Sequence, residues 1–261
     1  MKEEILMLQI PKFQVKYSDE KKYAWSDKTG RENLKEVLTE ASKGYCMYCY
    51  RRIVLDGQNF GHLEHSIEKD NSKEKLTDCV PNISIACSIC NTSYKKRGEK
   101  KRKINLDLVL KFEEKACIQN CTTPCEEYKN LKKEYIKNKA AQIILQPFGI
   151  KGFDTGEEME LEYDVLDAEF KPSTFHSYSD AEKEFIKNHI IRFGLNEKQQ
   201  KTKQLIHFLE DTINNDGRYT TMEYNHMIVE LFVEKLQGKT KEEIFKICST
   251  IYEYAIMTFY I

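Results

Sequence analysis

The sequence predicts an α+β protein, mostly helical, with a small metal-clamped motif in its first half. Three observations carry that expectation. Cys46 and Cys49 are spaced C-x-x-C, and so are Cys87 and Cys90. Acidic and apolar residues alternate from Glu158 to Val165, the period of a half-buried strand. Much of the remainder repeats apolar residues every three or four positions, the period of helices.

In chain order, residues 1–25 look extended, with Val15, Tyr17 and Trp25 set among charges. The stretch "RENLKEVLTEASK" at 31–43 puts Leu34, Val37, Leu38 and Ala41 on one helical face, and Gly44 suits its C-cap. Residues 127–145 read as a helix that "QPFG" ends. In the alternating segment Glu158, Glu160, Glu162 and Asp164 share one face, with Met159, Leu161, Tyr163 and Val165 opposite. A hairpin near 153–172 is expected there, its acidic stripe facing solvent or a basic protein surface. Ser179 with Glu182 forms a capping box for a helix ending near Gly194. Further helices are expected from Glu197 to Asn214, after Thr220 with Glu223, and after Thr240 with Glu243. Ile228, Phe232, Ile244, Ile247, Ile251 and Phe259 give the last two apolar faces. Core packing is the first use of such faces, with partner docking around Phe232 and Ile251 as the second.

The 261 residues carry a net charge of −1, although 32% of them are charged. Net charge therefore offers no global attraction for a polyanion, and only local clusters could. No apolar run reaches the ~20 residues of a membrane span. The start, "MKEEILMLQIPKF", is too acidic for a signal peptide. A cytosolic location is expected, where the nine cysteines would stay reduced and serve metal binding or burial.

Two C-x-x-C pairs supply four thiolates, the tetrahedral set of a structural zinc. The pairs are separated by 37 residues, more than the ~15–20 of a simple ribbon. The intervening segment holds "GHLEHSIEK" at 61–69. A four-cysteine zinc has no open position, so chemistry would need a second, harder cation. Glu64 and Asn91 offer oxygen ligands suited to Mg²⁺ or Mn²⁺, and His65 could activate a water. The tail "SYKKRGEKKRK" at 93–103 carries Lys95, Lys96, Arg97, Lys100, Lys101, Arg102 and Lys103. Such a run would contact a nucleic-acid backbone without reading its sequence. Cys117, Cys121 and Cys125 form a further cluster without an obvious fourth ligand, Cys79 being one option. Cys248 reads as core. His176, His189, His207 and His226 lack carboxylate or cysteine companions at ligand spacing and read as structural.

"CMYC", "HLEH" and "NISIACSICN" followed by lysines resemble the HNH endonuclease family over residues 44–97, about a fifth of the chain. The resemblance implies a ββα-metal motif with a four-cysteine zinc site on Cys46, Cys49, Cys87 and Cys90. It implies His65 as general base, Glu64 and Asn91 as divalent-metal ligands, and Asn82 as the brace of the loop. His62 matches an extra histidine of a subset of that family, and Asn91 stands where a final histidine is common. A looser similarity in the order "HLEH", "NISIACSICN", "LQP" and "FIKNHIIRFGLN" extends to stand-alone HNH subunits of Septu-type antiphage defence systems. It implies an ATPase partner of the ABC/SMC type. The expected organisation is a nuclease domain at 1–110 and a mainly helical, partner-docking region at 111–261. The expected function is metal-dependent cleavage of DNA, with RNA as the alternative substrate. The competing expectation is a zinc-stabilised binding module without catalysis.

Overall fold

A computed structural model describes residues 3–72, 74–115, 121–197, 203–220 and 223–259. A short helix α1 (Glu3–Leu6) leads into strand β1 (Met7–Gln9), and α2 spans Lys28–Ala41. Three short strands follow, β2 (Val54–Leu55), β3 (Gln58–Asn59) and β4 (His62–His65). β5 (Ile83–Ala86) pairs antiparallel with β4, setting Glu64 opposite Ser84 and His65 opposite Ile83. The chain then winds into a short helical segment whose last turn, Cys90–Tyr94, is π-type. Helices α3 (Leu106–Lys115) and α4 (Glu126–Lys137) pack on each other. After a second hairpin, β6 (Leu161–Asp164) and β7 (Glu169–Pro172), come α5 (Asp180–Arg192), α6 (Lys203–Asn214), α7 (Met227–Leu236) and α8 (Lys241–Phe259).

The helix ends follow side-chain caps. Asp27 opens α2 by accepting the Gly30 N–H at 2.7 Å, so the helix begins ahead of the expected start at Arg31. Gly30 must be glycine here, because a Cβ would lie 2.6 Å from the Ala24 backbone nitrogen. Ser179 and Glu182 close the expected capping box of α5. Thr240 and Glu243 bond reciprocally at 2.8 and 3.2 Å before α8. The expected start after Thr220 is not used. His226 caps α7 instead, because the Met227 N–H is drawn to the Tyr50 carbonyl at 2.9 Å. The helix expected over 127–145 stops at Lys137, and α3 is a further helix beyond those expected. Of the helix expected from Glu197, residues 198–202 lie outside the described residues, and α6 is described from Lys203.

The sheet corrects the reading of the acidic stripe. β6 is the middle strand of the order β1-β6-β7, and all four of its residues are buried. Glu162 accepts hydrogen bonds from Gln9 Nε2 (2.8 Å), Thr174 N (2.8 Å) and Thr174 Oγ1 (3.0 Å). Asp164 pairs with Lys171 at 2.6 Å, and Lys12 reaches Glu158 and Glu160 at 3.6 and 3.2 Å. The stripe thus finds its partners within the chain, lysines for Glu158, Glu160 and Asp164 and neutral donors for Glu162. His176 is also corrected: its two ring nitrogens lie 2.9 Å from Glu157 and 3.0 Å from Glu160. Partial burial opposes protonation of His176, but the two carboxylates outweigh it and raise its pKa.

One continuous apolar core runs through both halves of the chain. β1 pairs with β6, and Arg52 N donates to Asn225 O at 2.8 Å. Phe232, Ile228, Ile244, Ile251 and Cys248 are buried in that core, so Phe232 and Ile251 are not available as a docking surface. Phe259 lies outside the residues whose side chains are described. Among the described residues no helix is long and apolar enough to cross a membrane.

His189 and His226 are structural. Each accepts a backbone N–H through Nδ1, from Ile144 at 3.1 Å and Ile228 at 3.3 Å. Burial pushes both down to about 3. The unfolded chain takes up these two protons near pH 6.5, while the folded chain refuses them until about pH 3. Their contribution is complete above about pH 6.5 and is lost as pH falls, at roughly 1.4 kcal/mol per pH unit for each. Urea unfolding should show falling stability from about pH 7 to about pH 5. His189→Asn, which keeps an acceptor at that place, should flatten the slope. A stability independent of pH over that window would contradict the assignment.

Candidate metal and phosphate site

The four cysteines of the two C-x-x-C pairs converge. The sulfurs of Cys46, Cys49, Cys87 and Cys90 all lie within 4.8 Å of one another, and Cys49 Sγ to Cys87 Sγ is 3.6 Å. That separation is far beyond the ~2.05 Å of a disulfide. It matches the edge of a tetrahedron with ~2.3 Å metal–sulfur bonds, about 3.8 Å. Hydrogen bonds from the neighbouring sulfurs pull the Cys87 thiol down, while contacts with Cys46 and Cys87 push Cys49 and Cys90 up. A divalent cation is what would let all four ionise together. The donor set fits a zinc-like ion, which these four residues would hold. Of the other cluster, Cys121 and Cys125 are half-buried and Cys79 is buried, while Cys117 lies outside the described residues.

The knuckles position what lies between them. Met47 N donates to Ile85 O at 3.1 Å, fixing the first knuckle to β5. Tyr48, inside that knuckle, is fully buried, and its hydroxyl donates to Glu64 Oε2 at 2.8 Å. Burial, with the Glu64 charge beside it, holds the Tyr48 pKa far up and keeps it a donor. Ser84 also donates to Glu64 Oε2, at 3.0 Å. The other carboxylate oxygen meets Lys95 Nζ at 2.8 Å. Lys95 Nζ further reaches the carbonyls of His65 (2.9 Å) and Ser66 (2.5 Å).

This arrangement corrects three expectations. Glu64 is 5% exposed and both its oxygens are engaged, so it is not placed to hold a divalent cation with Asn91. Lys95 is 3% exposed and Arg102 fully buried, so neither meets a nucleic-acid backbone. Arg102 instead holds Glu68 at 2.6 Å, and Tyr135 donates to the same carboxylate at 2.9 Å. Lys96, Arg97, Lys100, Lys101 and Lys103 remain at the surface.

His65 is held on the opposite side of β4. Its Nε2 lies 2.9 Å from the Thr77 carbonyl. A carbonyl only accepts, so Nε2 carries the proton and Nδ1 keeps a lone pair. Burial lowers the pKa of His65 below its ordinary value, so the ring is neutral at pH 7. Trp25 covers one face of the ring at a centroid distance of 4.3 Å. The backbone N–H groups of Trp25 and Ser26 donate to Asp78 Oδ1 at 2.7 and 2.8 Å. The adjacent pair Thr77–Asp78 thus anchors both the imidazole and its cover. Asn82 braces this loop: its Nδ2 donates to Ile67 O (2.9 Å) and Leu76 O (3.4 Å), and its Oδ1 accepts from Ile67 N (2.8 Å).

Beside Trp25 opens a cleft of about 470 Å³. His62 and Asn91 line it, together with Lys28, Arg31 and Lys35 of α2. The three cations recur at i, i+3 and i+7, one face of a helix, a spacing legible in the sequence beside the denser run at 95–103. Among the described residues Glu32 is the one carboxylate lining the cleft. His62 is exposed and Asn91 half-exposed. The cleft favours anions; the neutral His65 ring does not line it, and Trp25, which does, covers one face of that ring.

No family model, no curated protein and no solved structure matches the chain. Its chemistry has to be read from these side chains.

Each chain should bind one zinc ion, with X-ray absorption showing sulfur ligands alone; a metal-free folded chain would contradict the clamp. Glu64→Gln or Lys95→Met each leaves a buried charge uncompensated and should cost about 3–5 kcal/mol, while the double variant costs much less than the sum. Denaturant unfolding measures both. Single variants as stable as the wild type would show that the pair is not the constraint.

Proposed function

We propose that this chain is a zinc-clamped endonuclease of the HNH kind that hydrolyses phosphodiester bonds in DNA. The observation that carries the reading is His65: a neutral imidazole, fixed through Nε2, near a cleft of cations. Those are the two parts phosphodiester hydrolysis needs, a base for water and positive charge for the phosphoryl oxygens. The antiparallel β4–β5 pair followed by a helical turn, with four cysteines clamping its ends, agrees with the resemblance in residues 44–97.

In the proposed reaction His65 Nδ1 takes a proton from water. The water oxygen bonds to phosphorus as the bond to the 3′-oxygen breaks, and that oxygen takes a proton from solvent, leaving a 5′-phosphate and a 3′-hydroxyl. Lys28, Arg31 and Lys35 offset the charge of the phosphate, and Asn91 and His62 offer polar contacts at the same cleft. A Mg²⁺ or Mn²⁺ ion on Glu64 does not fit the carboxylate's present partners, so no step is assigned to one.

The defence role and the ATPase partner belong to the same proposal and rest on the wider sequence similarity. Two segments of that similarity pack on the motif. Phe193 stacks on Tyr48 with centroids 4.9 Å apart, and Ser66 Oγ donates to the Gln146 carbonyl. A binding module without catalysis would use the same cations but would not need His65 oriented.

The test is purified chain with plasmid DNA and Mg²⁺, with a single-stranded RNA arm and with or without a candidate ATPase. Wild-type protein should nick and linearise the plasmid. His65→Ala should be slower by ~10²–10⁴-fold at unchanged zinc content and melting temperature. Equal cutting by His65→Ala would refute the assignment, and DNA retention without any cutting would favour the binding module.

A further inference from the structure

A second cleft, remote in composition from the first, opens between α4 and the turn after Pro147. Its volume is about 460 Å³, within the ~300–1,000 Å³ of small-molecule sites. The walls are largely apolar, with Phe148, Ile150 and Phe153 from the turn and Ile136 from α4. Phe153 is 44% exposed although its ring meets Phe185 edge-on at 6.4 Å.

The rim is cationic. Lys129, Lys133 and Lys137 stand on successive turns of α4, and Lys151 faces the cleft from the turn. Among the described lining residues Glu158 is the carboxylate, 3.6 Å from Lys12 and 3.9 Å from Lys151, while Lys129 and Lys137 reach Glu126 and Glu134 at 3.4 and 3.5 Å, so five lysines still outnumber three carboxylates. Deeper in, Lys132 donates to the Gly149 carbonyl. Burial of this ammonium pulls its pKa down to about 8. A neighbouring anion would offset that desolvation.

We propose that this cleft binds a nucleotide, its base on the Phe148 and Phe153 wall and its phosphates on the lysine rim. A bare anion would leave the aromatic wall uncovered. A purely apolar ligand would leave the surplus of ammonium over carboxylate groups at the rim uncompensated. A flat aromatic body joined to phosphates satisfies both. Two sources share that chemistry: a free nucleoside polyphosphate and the end of a nucleic-acid strand. The second is close at hand, because Asn138, just past α4, donates to the carbonyls of Lys101 and Lys103 at 3.0 and 3.4 Å. That contact joins the cleft's edge to the exposed basic segment.

The experiment is calorimetric titration of the full chain with ATP and with inorganic tripolyphosphate, then competition by a short 5′-phosphorylated oligothymidylate. ATP should bind about tenfold or more tighter than tripolyphosphate, since base stacking on an aromatic side chain adds that much. Phe153→Ser should remove this preference and leave tripolyphosphate binding unchanged. Lys133→Gln with Lys137→Gln should weaken both ligands. These side chains are exposed, and unchanged melting temperatures will show that the variants fold. Displacement of ATP by the oligonucleotide identifies a strand end as an occupant; its failure to displace ATP identifies the free nucleotide. Absence of ATP binding, equal affinity for tripolyphosphate, or an unaltered Phe153→Ser protein would overturn the proposal. None of these residues lies in the zinc-clamped site, so that outcome would leave the nuclease reading standing.

Discussion

The ammonium group of Lys95 has almost no access to water, and the local structure is organised to hold it. Moving a charge out of water costs several kcal/mol, recovered only when its partners are close and fully bonded. Here the partners come from the heart of the motif: Glu64 from β4 and the carbonyls of His65 and Ser66 directly after it. Glu64 is in turn fixed by Tyr48 from the first knuckle and Ser84 from β5. Neighbouring side chains of a strand point to opposite faces. Turning Glu64 inward to meet Lys95 therefore turns His65 the other way, toward Trp25 and the Thr77 carbonyl. The ion pair sets the direction of the candidate base.

The cysteine cluster and the ion pair act on the same pieces of chain. Tyr48 sits between Cys46 and Cys49, and Lys95 lies five residues after Cys90. A metal on the four sulfurs would fix both ends of the network at once. Binding energy at a structural zinc is folding energy, so the clamp would help offset the cost of burying Lys95 and Glu64. The same logic explains why the motif cannot be lifted from the rest. Phe193 of the α5 end covers Tyr48, and the segment before α7 pairs with Tyr50 and Arg52.

What the sequence made legible was local. Cysteine spacing, the capping boxes of α5 and α8, the apolar face of α2 and the alternation over 158–165 each depend on residues a few positions apart. What it hid depends on distant partners. Lys95 and Arg102 look like Lys96 and Lys101 until Glu64 and Glu68, some thirty residues earlier, are brought beside them. Glu162 looks solvent-facing until Gln9 and Thr174 cover it. His176 looks isolated because Glu157 and Glu160 precede it by 19 and 16 positions. Glu64, His65, Asn82 and Asn91 were all singled out by type and order. The structure gives a different task to Glu64, a polar one to Asn82, and a cleft-lining place to Asn91.

The central claim is that the Glu64–Lys95 pair turns His65 toward the Thr77 carbonyl, where burial keeps it neutral, protonated at Nε2 and with a lone pair at Nδ1. Long-range ¹H–¹⁵N NMR of the histidine side chains at pH 7 reads this directly. His65 should show a pyrrole-type, protonated Nε2 and a pyridine-type Nδ1. Protonation at Nδ1 instead, or an imidazolium with both nitrogens protonated, would contradict it.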